Sequence, residues 1–486
     1  MNILVTLLVV VVLVSSSSSS SSSRHIRIDV VDDKTGHGVP LVMLTTNFYT
    51  RYFSDSAGRV AIENDLENQN VWFSVLTDGY DLNVERTKGA VQYGSPYDAG
   101  IVVNLTNDEE HVVYMKRNQI ARRAYRLTGQ GLYRDSVLTN ASIPDSARNR
   151  AMIDPLSGVT GQDTLQVVNY QNAVWYFFGD TVCPRSARQN NCDSTGMYTV
   201  GAVSSTIEKA RTDPPTFEYI AVGGSPTPIA PLYPLEQNTW TAAMFTSSDE
   251  KDMYAAYFKN PGDGASPSEA RQGMMIWNGT QMVELGNEWP RDTTLSLNGA
   301  HTVQVLSPKD MASGMNDFAW FVNGAVSSRV RRTRNDVANY SAFEKLDPPK
   351  SPSYSCNTVN WNTYAQKYLC LGDNKVGNNE SFGGTVPLTI AWSDSLLGPY
   401  VNATVILDHG RTGMSCYNGL HLPHMDQDQF VTVACTFTAM WSNTNRTPNL
   451  WSTCLFGQNS HQGCARVVPR YEYNNIVSKV DLDLIL

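Results

Sequence analysis

Between Gly161 and Thr181 the chain reads GQDTLQVVNYQNAVWYFFGDT, apolar nearly throughout, with charge only at Asp163 and Asp180. Val, Tyr, Phe and Trp favour strands and Gln171-Asn172 are turn residues, so the stretch predicts a β-hairpin. A two-residue turn there pairs Tyr170 with Ala173, Val168 with Trp175 and Gln166 with Phe177, and sets Asp163 opposite Asp180. A symmetric four-residue loop keeps the same register. The clean alternation of a half-exposed sheet is absent, which predicts a hairpin covered on both faces. Two carboxylates facing each other across a strand pair repel. An arginine, a metal, a shared proton or a catalytic role must offset them.

The hairpin pattern recurs. Units begin near Asp163 (DTLQVV), Asn238 (NTWTAAMF), His301 (HTVQVL), Cys356 (CNTVNW) and Cys416 (CYNGLHL), each followed by another apolar strand such as MYTVGAVSS or VPLTIAWSD. Five repeats of this length predict a five-bladed β-propeller over residues 161–486. A two-sheet sandwich is the rival all-β reading, but it gives no reason for five similar hairpins. Upstream, residues 24–117 show short strands separated by the turn clusters Asp-Lys-Thr-Gly and Asp-Ser-Ala-Gly, the pattern of a small β-sandwich. Residues 118–160 then form a connector. The basic run KRNQIARRAYR, residues 116–126, predicts a solvated face, and Arg329 to Arg332 predict a solvated strand edge.

Composition narrows the setting. Hydrophobic residues make up 41% and charged residues 17% of the 486, enough for a solid core. A formal charge of −9 argues against nucleic acid, since phosphate binding needs a basic surface. MNILVTLLVVVVLV followed by Ser15 to Ser23 reads as a signal peptide within residues 1–23, so the chain is expected to be secreted. A retained segment, and with it a membrane attachment, is the alternative. Eight cysteines fall as local couples: Cys183/Cys192, Cys356/Cys370, Cys416/Cys435 and Cys454/Cys464. Short-loop disulfides are the simplest pairing, with other pairings open, and they suit an oxidising compartment. Sequons at Asn104, Asn140, Asn278, Asn339, Asn379, Asn402 and Asn445 agree with a secreted glycoprotein.

In a propeller the innermost strands line a central channel, so their first residues converge. Those positions are Asp163, then Asn238 and Trp240, His301, Asn357, and Asn418 with His421. A carboxylate, an indole, histidines and amides around a funnel suit a polyhydroxylated ligand, with aromatic stacking on C–H faces and hydrogen bonds to hydroxyls. The partner expected is therefore a polysaccharide or glycan. Asp180 is a second catalytic candidate, although its Gly-Asp recurs as Gly372-Asp373 and also reads as a repeated turn device. Asp135 in YRDS is a third, with Arg134 beside it. His421, His424 and Asp426, with Asp428, form a possible metal group, weakened because histidines three apart on a strand point to opposite faces. No cofactor is required, and Ca²⁺ held by channel carboxylates is the one ion worth considering.

YRLTGQGLYRDSVL, GQDT, FFGDT, LHLPHMDQDQ and PRYEYNNIVSKVDL resemble a family of secreted proteins related to the five-bladed propeller glycosidases of arabinanase and fructosidase type. The N-terminal D-x-x-T-G-x-x-V-P is similar to the carboxypeptidase-regulatory type of β-sandwich. The resemblance implies Asp163 as base or nucleophile, a second Asp tuning the acid, and a Glu from a later blade as proton donor. The chain departs from that pattern. VTVACTFT offers Ala434 and Cys435 where the Glu is sought, the third unit presents His301, and Glu284 and Glu288 lie in outer or connecting segments. Three functions follow: a glycoside-hydrolase-like protein acting on an extracellular or cell-wall polysaccharide, a non-catalytic glycan-binding propeller, or a structural matrix glycoprotein.

Overall fold

The computed structural model describes residues 25–63, 69–94, 98–105, 110–129, 131–148, 159, 161–182, 199–222, 225–226, 229–230, 239–259, 271–290, 297, 300–323, 326–346, 356–373, 387–407, 415–438 and 474–486. Residues 1–24, Asn238, Cys183/Cys192 and Cys454/Cys464 lie outside them. The fold is all-β, with a few short helices.

Near the N-terminus, one sheet runs in the order Arg59–Ile62, Ile26–Asp32, His111–Arg117, Tyr80–Leu82. A second runs Arg51–Phe53, Met43–Thr46, Asn70–Leu76, Ala99–Asn104, Ala90–Gln92. Ile26–Asp32 alternates buried and half-buried positions, as a strand with one face on a core must. Ile28, Val30, Leu44, Phe73, Ile101 and Val113 from both sheets meet in one hydrophobic cluster.

Among the described residues, five further antiparallel sheets of three or four strands follow, beside two short two-stranded pairs. The first contains Leu165–Tyr170, Ala173–Phe178, Val200–Ser204 and Glu218–Tyr219; the second Thr239–Thr246, Met253–Lys259, Arg271–Trp277 and Met282–Leu285. The third contains Phe318–Asn323, Val326–Arg331 and Glu344–Leu346, and Thr302 bridges to Phe321 at its inner side. The fourth contains Thr358–Asn362, Lys367–Asp373, Leu388–Ser393 and Val401–Leu407. The fifth orders Arg122–Arg126, Asn474–Asp481, Phe430–Thr438 and Ser415–His421, so it combines a strand preceding the first sheet with the last strand of the chain.

Hydrophobic clusters join these sheets in a cycle. Val168 and Phe177 pack with Met244 and Met275, Phe245 with Phe321, and Trp320 with Tyr368. Leu371 and Leu388 pack with Val431 and Val433, and Leu420 and Val477 return to Leu165 and Tyr176. Burial on both faces is the physical reason the opening hairpin lacks alternation: five of the six residues of Leu165–Tyr170 are buried.

The hairpin register is as expected from its turn. Tyr170 pairs with Ala173, Val168 with Trp175 and Gln166 with Phe177. Gln171 and Asn172 both have positive φ, 52° and 61°, the two-residue turn whose twist matches that of the strands. Cys356–Cys370 and Cys416–Cys435 are joined as disulfides.

Two expectations are corrected. The basic run at 116–126 is not a solvated face: Arg122–Arg126 is a strand of the fifth sheet, with Arg123 and Arg126 buried. Arg123 donates to the carbonyl oxygens of Pro40 (2.7 Å) and Asp78 (2.6 Å) and to Thr77 Oγ1 (3.0 Å), tying the N-terminal sheets to the fifth sheet. Nor is the Arg329 segment an edge. Val326–Arg331 is the middle strand of its three, and Arg329 lies over the Phe318 ring and pairs with Glu344. Among the described residues no helix is long and apolar enough to cross a membrane.

Candidate functional site

Asp163 and Asp180 stand on neighbouring strands at the point where the first hairpin continues into the short pair Gly161–Gln162 and Thr181–Val182. The Asp163 N–H donates to the Asp180 carbonyl at 2.8 Å, and Gly179 N–H returns to Asp163 O at 3.0 Å. The two residues are therefore neighbours on adjacent strands, at a break in the regular pairing between Gln162 and Leu165.

Each carboxyl is held differently. Donors converge on Asp163 Oδ1: the Thr164 backbone N–H, Thr164 Oγ1 at 2.8 Å, Asn418 Nδ2 at 3.3 Å and Thr436 Oγ1 at 3.4 Å. Asn418 Nδ2 also donates to Thr164 Oγ1 at 2.6 Å, and Thr164 N–H to Thr436 Oγ1 at 3.1 Å. Thr164 and Asn418 both adopt positive φ, 27° and 53°, a strained conformation for side chains with a Cβ. Asn418 sits where the pairing of Ser415–His421 with Phe430–Thr438 shifts register, a bulge that re-aims its side chain.

Asp180 is 9% exposed. Trp240 Nε1 donates to its Oδ1 at 2.7 Å, and the indole stacks on Phe258 with centroids 6.1 Å apart and planes 7° apart. Burial, and then the negative charge of Asp163, push the Asp180 carboxyl up to about 7, against the opposing pull of the Trp240 N–H. At neutral pH this aspartate divides its time between acid and anion.

The remaining candidates separate into two groups. His301 is buried, and burial lowers its pKa to about 4, so the ring is neutral. It lies three residues before Gln304, whose side chain donates to Val167 O of the first sheet while Asn360 Oδ1 accepts from Gln304 N–H at 2.8 Å. The segment is thus lodged between the first and fourth sheets. Asn357, half-buried, opens the fourth sheet with its N–H on Leu371 O at 2.7 Å.

His421 is used elsewhere. Three residues beyond Asn418, its Nε2 bonds Asp426 Oδ2 at 2.9 Å; Asp426 also accepts from Asn362 Nδ2 and Thr432 N–H. His424 is buried and neutral, its pKa lowered to about 3 chiefly by burial. Asp135 is likewise not brought to the pair. It lies on the helix Arg134–Leu138 against strand Arg59–Ile62, where its Oδ2 accepts the Ala61 N–H at 3.0 Å and its Oδ1 faces Arg134. Glu284 is ion-paired with Lys259 and near Arg271, and Glu288 pairs with Arg271 at 2.7 Å. Among the described residues no three His, Cys, Asp or Glu side chains stand close enough together to hold a metal ion.

Thr164 and Thr436 are the site residues the sequence did not single out. VTVACTFT does reach Asp163, through Thr436, while its neighbour Cys435 is committed to the disulfide with Cys416. The signal available was position: Thr436 follows the residues searched for a Glu.

No family model matches the chain, and no curated protein sequence does. Among solved structures, the chain is similar to the GH43 protein BlXynB from Bacillus licheniformis, at 10% identity and TM-score 0.36, over 58% of this chain and 50% of that one. It is similar to an exo-β-1,3-galactanase from Phanerochaete chrysosporium at 10% identity and TM-score 0.36, over 67% and 62%. An exo-1,5-α-L-arabinanase from a bovine ruminal metagenomic library matches at 10% identity and TM-score 0.32, over 58% and 89%. The chain spans half the length of the first of these.

Proposed function

We propose that this is a secreted, glycoside-hydrolase-like protein acting on an extracellular or cell-wall polysaccharide, with Asp163 as base or nucleophile. In this reading the five sheets are blades of a five-bladed β-propeller behind a small N-terminal β-sandwich, and Asp163, Trp240, His301, Asn357 and Asn418 face one channel. The cycle of hydrophobic clusters supports that arrangement.

The observation that carries the function is the Asp163–Asp180 pair. Adjacent carboxyls with divided protonation are what glycoside hydrolysis uses, one as anion and one as acid. Strained backbone at Thr164 and Asn418, both against Asp163, adds to it, since strain of this kind persists where surrounding structure enforces it for function. A non-catalytic glycan-binding role is the second reading. Ala434 and Cys435 favour it, since the hairpin expected to supply a glutamic acid supplies Thr436 instead.

The purified protein, incubated with arabinan, xylan, galactan and fructan oligosaccharides, is expected to release sugar, and Asp163→Asn to lose about 10²-fold or more of that rate. Binding without release favours the glycan-binding reading. Neither binding nor release overturns both.

A further inference from the structure

We propose that Asp180 is the proton donor of the site and Asp163 its nucleophile, so that one hairpin supplies both carboxyl groups. This rests on the glycoside-hydrolysis reading above and assigns the step left open there.

Position selects Asp180. The backbone bond from Asp163 N–H to Asp180 O puts the two residues side by side on adjacent strands, and the Asp163 charge acts on the Asp180 carboxyl. Retaining glycosidases likewise hold two carboxyl groups close together, about 5–5.5 Å apart. Among the described residues, the other carboxyls considered are held elsewhere: Asp135 by the Ala61 N–H, Glu284 by Lys259, Glu288 by Arg271.

Orientation follows from Trp240. The indole N–H can only donate, so Asp180 Oδ1 acts as acceptor and the acid proton resides on Oδ2. Stacking on Phe258 holds the indole in that pose. The influences on Asp180 are burial, then the Asp163 charge, with the Trp240 N–H opposing both. Asp163, by contrast, is surrounded at Oδ1 by N–H and O–H donors, which suits a carboxylate.

The chemistry then closes on itself. The bond from the anomeric carbon to the glycosidic oxygen breaks, and the leaving oxygen keeps the electron pair and takes the Asp180 proton. An Asp163 oxygen bonds the anomeric carbon. Water then attacks that carbon, its proton returns to Asp180, and Asp163 departs as carboxylate. Two displacements leave the anomeric configuration retained.

The test uses the full chain, the oligosaccharide that the wild type cleaves, and the dinitrophenyl glycoside of the sugar released, whose leaving group departs without protonation. Asp180→Asn is expected to lose about 10²–10⁴-fold on the oligosaccharide and to stay within about tenfold on the dinitrophenyl glycoside, whereas Asp163→Asn loses both. Two wild-type measurements need no variant. Proton NMR of the first product formed shows the substrate's anomeric configuration, and kcat/KM on the oligosaccharide falls as pH rises through about 7. Equal losses of Asp180→Asn on both substrates, no loss on either, or an inverted product overturns the assignment while leaving the glycosidase reading intact. A wild type that cleaves no oligosaccharide overturns that reading itself, and the assignment with it.

Discussion

Asp163 donates its backbone N–H to the carbonyl oxygen of Asp180 at 2.8 Å, and this bond keeps two like charges on adjacent strands. The fold tolerates the repulsion by leaving Asp180 protonated up to about pH 7. Stability is given up at the place where chemistry is proposed, a common trade at functional sites.

That trade has a definite sign. The folded-state pKa of Asp180 is about 7, above the ordinary 3.8. Between those values the folded protein holds a proton that the unfolded chain has released, so stability falls as pH rises through the window and levels above it. Asp180→Asn removes the fall. Thermal melts should show the variant exceeding the wild type at pH 8, with the gap closing toward pH 4. A gap independent of pH would count against the buried, coupled acid.

Trp240→Phe keeps a ring over Phe258 and removes the donor to Asp180 Oδ1. A hydrogen bond to a charged group is worth about 1.5–3 kcal/mol, and one pKa unit is about 1.4 kcal/mol. The Asp180 titration is therefore expected to move upward by about one unit or more, read from carboxyl ¹³C shifts. A downward move would contradict the assigned bond.

The turn at Gln171-Asn172 offers a test of the hairpin alone. Both residues sit at positive φ, where a side chain with a Cβ is disfavoured by about 1–2 kcal/mol. Asn172→Gly is expected to raise stability by several tenths of a kcal/mol or more, and Asn172→Val to lower it by over about 1 kcal/mol. Urea denaturation distinguishes them by opposite shifts of midpoint.

Arg126 is fully buried and donates to Asn474 Oδ1 at 3.1 Å and to Gly131 O at 3.0 Å. Arg126→Met removes both charge-assisted hydrogen bonds, at about 1.5–3 kcal/mol each. Lower thermal stability, with earlier hydrogen exchange in Asn474–Asp481 than in the N-terminal sheets, is the expected outcome. Uniform loss of protection across the chain would argue that Arg126 does not act through the fifth sheet.

Local signals carried the strand pattern and the hairpin register, because turn chemistry and side-chain period act over a few residues. They are enough to bring Asp163 beside Asp180, whose carbonyl accepts its N–H. What they could not carry was long-range pairing. Thr436 and Asn418 reach Asp163 from more than two hundred residues away, and a threonine on an apolar strand looks the same whether or not it meets a carboxylate. Arg123 is illegible in sequence for a related reason: its main acceptors are backbone carbonyls, which no composition reveals. Asp135 beside Arg134 resembled an ion pair poised near a site, yet its decisive partner is the Ala61 N–H.

The fifth sheet borrows Arg122–Arg126 from ahead of the first sheet and Asn474–Asp481 from the tail. During synthesis the borrowed strand emerges early and waits, since its partner lies 348 residues downstream at the Arg126–Asn474 contact. Until Asn474–Asp481 has been made, Arg122–Arg126 has no partner strand in the fifth sheet. Pairing over so long a separation is slow, so the fifth sheet is expected to form late in folding.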